Sequence, residues 1–222
     1  MLSPMEAKSL DEDTLYRVAQ EQYRRASEVV RTDVPEYAGG PVTGVDVAYS
    51  DPLAVACAVT IDTERGNVTR IVFHTTNVDM PYVPGFFQLR EGPVLIEMLR
   101  ELRNTGPVLI DGNGVLHPRR FGLASYVGVE LGIQTIGVAK TLLLGTMDSR
   151  EGDIALVRDG DDIIGAALWI GARKKPVYVS IGNRVSLATA IEIVRDCSSK
   201  GRVEPIRQAH IMARTEIRKR TV

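Results

Sequence analysis

Residues 107–120 read PVLIDGNGVLHPRR. Val108, Leu109 and Ile110 form a short apolar run between Pro107 and a pair of glycines, the composition of a strand buried on both faces of an α/β sheet. The run ends on Asp111, and Gly112, Asn113 and Gly114 supply a turn where backbone can come close to a ligand. Open α/β sheets bind ligands outside the carboxyl ends of their strands, so Asp111 stands where chemistry is expected. His117, Arg119 and Arg120 follow, a histidine and two cations suited to phosphate. An aspartate that merely caps a strand-to-helix turn would look the same in isolation, and only the rest of the chain separates the two.

Downstream, Phe121–Leu131 reads as a helix and Gln134–Ala139 as a second buried strand, with Lys140 just past its end. Strand, helix, strand in that order implies a right-handed parallel crossover. Upstream, Thr43–Tyr49, TGVDVAY, reads as the first core strand. Alternation puts Gly44, Asp46 and Ala48 on one face and Val45 and Val47 on the other. A charged group between two small side chains predicts an open floor above the sheet. A buried carboxylate is costly unless paired, so Asp46 requires a ligand cation, a donor from the protein, or solvent. Ala54–Asp62 and Val68–Thr76, joined at Arg65–Gly66–Asn67, complete an antiparallel meander with the first strand. Three shorter strands follow the crossover at Ile154–Val157, Ile163–Ile170 and Val177–Ser180, and Arg173, Lys174 and Lys175 lie in the second of their connections.

The helices and the loop before one of them add more candidates. Leu10–Arg31 is amphipathic and reads as packing, with Arg24 and Arg25 as groups suited to phosphate. Phe86–Arg103 puts Glu91, Leu95, Met98 and Leu102 on one face, so Glu91 points with core residues near the active edge of the sheet. Pro93 fits a first turn or kinks a longer helix. Before that helix, the stiff loop Pro81–Gly85, PYVPG, presents Tyr82, which either stacks on or wedges between bases or packs on the protein. Ser186–Cys197 is a further helix, and the last one begins at Pro205. Ile206, His210, Ala213 and Ile217 share one face of it, where a histidine is more often a satisfied core residue than a ligand.

The 222 residues are 44% hydrophobic, enough for one domain spanning the chain. A net charge of −1 excludes a globally basic nucleic-acid binder, so any such surface is local. Lys200–Val222 is one local patch, seven Lys and Arg against two Glu, although a solvated tail has the same composition. Cys57 and Cys197 have neither disulfide nor metal spacing, which suits a reduced, cytoplasmic setting. The N-terminus is acidic and no apolar run approaches the length of a membrane span, so no membrane association is expected.

Asp46, Glu91 and Asp111 thus stand at converging positions. Mg²⁺ takes oxygen ligands and retains waters, so two or three carboxylates plus a phosphate would complete its shell. Such a site suits metal-assisted phosphodiester hydrolysis. Lys140 and His210 could hold a water, a phosphate or the position of a general base.

The runs GVDVAY, PYVPGFFQLREGP, LIDGNGVLHPRRFGLAS, IGVAK and PVYVSIGNRVSL occur in this order, and a PxRxAH pattern at Pro205–His210 follows. Together they resemble the endonuclease V family, which nicks nucleic acid near deaminated adenine. The resemblance implies a ribonuclease H-like α/β fold: a mixed five-stranded sheet flanked by helices, with the short strands as additions. It implies metal-binding carboxylates at Asp46, Glu91 and Asp111, and further catalytic positions at Lys140 and His210. Tyr82 matches the family's wedge. Pro84, Gly85, Gly112 and Gly114, with His117 nearby, match its pocket for hypoxanthine, and Arg119 and Arg120 flank that pocket. The implied reaction is cleavage of the second phosphodiester bond 3′ to deoxyinosine in DNA, with Mg²⁺ as cofactor, Mn²⁺ as a substitute, and the protein acting as a monomer. An endoribonuclease acting on inosine-containing RNA, or a non-catalytic inosine or branched-DNA binder, are the alternatives. Intact carboxylates disfavour the binder, because clustered negative charge beside phosphates only hinders binding. Asn183 and Tyr126 stand where many relatives carry histidine.

Overall fold

The computed structural model describes residues 10–81, 83–102 and 105–221. The chain begins with α1 (Glu12–Arg25), then an antiparallel meander of β1 (Pro41–Ser50), β2 (Leu53–Asp62) and β3 (Asn67–Asn77). After α2 (Phe87–Arg100), β4 (Val108–Asp111) pairs parallel with β1. A crossover through α3 (Leu123–Leu131) then leads to β5 (Thr135–Ala139), parallel with β4. These five strands are the expected mixed sheet.

The short strands β6 (Thr146–Met147), β7 (Ile154–Asp159), β8 (Asp162–Leu168) and β9 (Val177–Asn183) do not stand apart. β9 pairs antiparallel with β5, so they extend the same sheet to nine strands in the order β3-β2-β1-β4-β5-β9-β8-β7-β6. The chain ends with α4 (Leu187–Asp196), a small hairpin of β10 (Ser198–Ser199) and β11 (Arg202–Val203), and α5 (Glu204–Arg220).

Strand alternation sorts the core into two layers. Val45, Val47, Val108 and Ile110 face α2 and α3 through Leu95, Met98, Leu123 and Val127. Leu109, Val59, Ile136 and Val179 face α4 and α5 through Ile191, Val194, Ile206, Ala209 and Ala213. The floor expected above Gly44, Asp46 and Ala48 is not open, because α5 lies across it. A side chain on Gly44 would place its Cβ 2.3 Å from the Pro205 carbonyl carbon, so glycine is there for the close approach of the helix.

Element ends differ from the sequence expectations for local reasons. α1 stops at Arg25, and after a short 3₁₀ turn the chain is drawn to β9: Val30 donates to Asn183 Oδ1 at 3.0 Å and accepts from the Arg184 amide at 2.6 Å. α3 begins at Leu123 because Phe121 is buried in the core and the Gly122 amide bonds the Gly114 carbonyl. Pro93 sits inside α2, where its ring removes one backbone donor.

Gly44→Ala is expected to destabilise the fold by about 1–3 kcal/mol, the cost of overfilling a packed core. A urea midpoint equal to that of the unsubstituted protein would show that α5 can retreat freely, contrary to this packing.

Candidate active site

β1 and β4 run parallel with Val45 opposite Ile110, so the next residues, Asp46 and Asp111, stand level on neighbouring strands and on the α5 face. Each has a basic partner. His210, carried in by α5, holds Asp46 through Nδ1 and Oδ2 at 2.8 Å. Lys140, one residue beyond β5, donates to Asp111 Oδ2 at 2.6 Å. His210 is therefore no core histidine: 44% of its side chain is exposed, and it lines a cavity of about 300 Å³ with Asp111 and Lys140.

The electrostatics show how little positive charge the acids receive. Burial and the neighbouring Asp111 push Asp46 up to about 6, against the pull of His210 and Lys140. Burial, then Asp46 and Asp111, raise Glu91 well above the usual carboxylate range. Glu91 comes from α2 on the opposite face and opens with Tyr49 and Arg90 onto a different cavity. The Tyr49 hydroxyl is buried near Glu91 without completing a well-formed hydrogen bond, and the Arg90 guanidinium stacks 4.2 Å from the Tyr49 ring centre. Among the described residues no three acidic, His or Cys side chains already close on one point as a metal cage. The donor chemistry nonetheless fits a hard divalent cation: carboxylate oxygens, mutually repelling and under-compensated, are what such an ion would neutralise.

A third cavity, of about 190 Å³, starts at the turn after Asp111 and is lined by Pro84, Gly85, Gly112 and His117, with Gln88 and Asn113. A hydrogen-bonded clamp fixes its mouth. The Gly85 carbonyl accepts from Arg119 Nη2 at 2.6 Å, from His117 Nε2 at 3.3 Å and from Gln22 Nε2 at 3.4 Å. The Arg119 amide donates to His117 Nδ1, so the His117 proton belongs on Nε2. Burial and the Arg119 charge lower His117 to about 4, which keeps it neutral in this role. Gln22 of α1 also donates to the Phe121 carbonyl and accepts from Arg119 Nε, tying three segments together. Sequence reading missed Gln22; its signal was a glutamine in the apolar stripe of α1, four residues after Val18.

Other expected nucleic-acid contacts are engaged within the protein. Arg119 stacks over Phe86, and Arg120 pairs with Asp159 at 2.7 Å and Asp162 at 3.1 Å. The Gly114 amide donates to Ser180 Oγ, and a Cβ there would lie 1.9 Å from the Ile181 carbonyl oxygen, so this glycine packs the turn against β9. Asn183, one of the two departures from the family pattern, is buried and bonds the Gly128 carbonyl at 2.8 Å. Tyr126, the other, packs edge-on to Phe121. Tyr82 lies outside the described residues.

A large mixed sheet flanked by helices, with acidic side chains level on adjacent strands, suits a metal-assisted hydrolase, and the relatives of this chain make it a nuclease. The sequence profile of Endonuclease V matches residues 24–211, and the chain belongs to the endonuclease V family, whose members are metal-dependent nucleases. It is 39% identical over 176 residues to the Endonuclease V of Methanothrix thermoacetophila, covering 78% of this chain and 79% of that protein. The crystal structure of Endonuclease V from Streptomyces avermitilis superposes with a TM-score of 0.84 at 35% identity, covering 96% of each chain. That of Ciona intestinalis Endonuclease V, bound to DNA containing an inosine followed by a ribo-adenosine, superposes with a TM-score of 0.86 at 27% identity, covering 94% of this chain and 99% of that one.

Asp46 holds its proton more tightly folded than unfolded, so its charge costs stability above about pH 6 and the cost fades as pH falls toward 3.8. A shift of this size corresponds to about 3 kcal/mol. Asp46→Asn is expected to raise the thermal midpoint by several degrees at pH 7.5 in chelator, with a smaller gain at pH 5. A midpoint that drops at pH 7.5 would mean the carboxylate is adequately paired by His210.

Proposed function

We propose that this chain, as one catalytic domain acting as a monomer in the cytoplasm, nicks DNA at deaminated adenine as a step in DNA repair. It takes deoxyinosine into the cavity behind Pro84 and Gly85 and hydrolyses the second phosphodiester bond on the 3′ side, with Mg²⁺ as cofactor and Mn²⁺ able to substitute. The observation that carries this reading is the adjacency of two things: the level pair Asp46 and Asp111, and a cavity that begins at Gly112. The inosine in the DNA bound by the Ciona enzyme supports the choice of base. Both cysteines are buried and free, which supports a reducing compartment, and no described helix is long and apolar enough to cross a membrane.

Deaminated adenine pairs weakly, so turning it out of a duplex costs only a few kcal/mol. Gln88 is buried in the cavity wall and its side chain forms no hydrogen bond among the described residues, leaving its amide for the base edge. Asp46, Asp111 and Glu91 would hold the cation, which when bound polarises the phosphate and acidifies the attacking water. His210 keeps its Nδ1 proton on Asp46, so Nε2 is the basic nitrogen that can accept a proton from water. Lys140 lies beside Asp111 with most of its side chain exposed, placed to neutralise a phosphate oxygen. The water oxygen adds to phosphorus, the P–O3′ bond breaks, and the leaving O3′ takes a proton, giving 3′-hydroxyl and 5′-phosphate.

Labelled duplexes carrying one deoxyinosine, one riboinosine or neither, incubated with Mg²⁺ or chelator, test this reading. A Mg²⁺-dependent nick one nucleotide beyond deoxyinosine is expected. Asp46→Ala and Asp111→Ala should each abolish it while retaining much of the binding. Preference for the riboinosine strand would move the activity to RNA, an arm included because the Ciona complex carries a ribonucleotide after inosine. Cleavage that persists in chelator, or in either variant, would overturn the assignment of the carboxylates.

A further inference from the structure

Beyond Asp111, Lys140 and His210, the cavity of about 300 Å³ continues into a cleft walled by Arg173, Arg202 and Arg207. Three separate segments supply them: the β8–β9 connection, β11, and the first turns of α5. Asp111 is the one carboxylate in the lining. Arg207 is paired with Glu204 at 2.7 Å, but the Arg173 side chain forms no ion pair among the described residues and donates to the Gly201 carbonyl at 3.2 Å. Arg202 has no ion pair or side-chain hydrogen bond among the described residues, and it is exposed. Past Arg173 a shallower groove runs beside Lys200 and Gly201, and the exposed Lys174 and Lys175 flank it.

In a chain of net charge −1, this crowding is a local feature with a local cause. Like charges drawn together with fewer counter-charges than cations repel, and a polyanion relieves that repulsion. Arginine forks match phosphate oxygens, while Val138, Val177, Val203 and Ile206 give the cleft an apolar floor suited to sugar faces. The cleft and the base-sized cavity meet at Asp111–Gly112 and Lys140–Thr141 but share no lining residue. They therefore adjoin at the carboxylate Asp111, one opening from each side of the Asp111–Gly112 peptide.

We propose that this cleft holds the phosphodiester backbone of the substrate strand on the 3′ side of the scissile bond. The polarity rests on the function proposed above: if the deaminated base enters the Gly112 cavity and the cut falls on its 3′ side, the strand must leave past Lys140 toward Arg202. Arg173 and Arg202 then act as binding residues for downstream phosphates, outside the catalytic group.

The test is fluorescence-anisotropy binding, in chelator and across a salt series, of inosine-containing single strands. One has a long 3′ arm, one ends just beyond the cut, and one has only a long 5′ arm. Arg202→Ser and the Arg173→Ser/Arg202→Ser pair are compared with the unsubstituted protein; should the pair fail to fold, the single variant still decides, because Arg202 supports nothing else. On the long-3′-arm strand the slope of log K against log salt should fall by about 0.7 for each arginine removed. Affinity there should drop about tenfold, with the short-3′-arm strand unaffected. An unchanged slope alongside normal inosine-dependent nicking would overturn the cleft and leave the function standing. Equal losses on the long-5′-arm strand would overturn its polarity. A protein that ignores inosine altogether would remove the function and, with it, the polarity.

Discussion

Two like charges are held side by side at the centre of this molecule, and most of its architecture follows from keeping them there. Asp46 and Asp111 are level because β1 and β4 are parallel, and both side chains are largely shielded from water. Burial and mutual repulsion make the ionised pair expensive, as the displacement of Asp46 to about 6 records. A protein selected only for stability would replace one of them with an apolar residue. The fold instead brings His210 and Lys140 from distant segments, and these two leave the acids under-compensated, ready for a divalent cation.

The second constraint is the fixing of a loop. The Gly85 carbonyl is shared by donors from α1, from His117 and from Arg119, so the mouth of the base-sized cavity is rigid before any substrate arrives. A neutral, buried histidine suits this work because its two nitrogens divide cleanly into one donor and one acceptor. Preorganisation of this kind lowers the entropy lost when a base is turned in.

Much of the arrangement was legible in the chain. Asp111 could be placed at a strand end from the apolar run before it, Lys140 by the same logic, and Glu91 on the inward face of a helix by its spacing from Leu95 and Met98. Other residues misled for identifiable reasons. Gly44 and Ala48 suggested an open floor, because small side chains permit either a ligand or a close-packed helix and local sequence does not distinguish them. Arg119 and Arg120 suggested phosphate contacts, and what local sequence hid is that both also have partners within the protein, Gln22, Asp159 and Asp162, remote in sequence. The joining of the short strands to the main sheet was equally hidden, since β5 meets β9 across some forty residues and no local pattern specifies that register.

The sequence by itself determined the elements and the chemical types at their ends. Periodicity and apolar runs are local properties, and they placed acids, a lysine and a histidine at the termini or faces of strands and helices. Only the tertiary structure decided which of these groups meet. His210 reaches Asp46 because α5 can lie on Gly44, Glu91 comes near Asp46 and Asp111 although α2 packs on the other side of the sheet, and Arg173, Arg202 and Arg207 line one cleft because three remote segments converge. Pairing of this kind is set by packing between distant parts of the chain, which no window of residues contains.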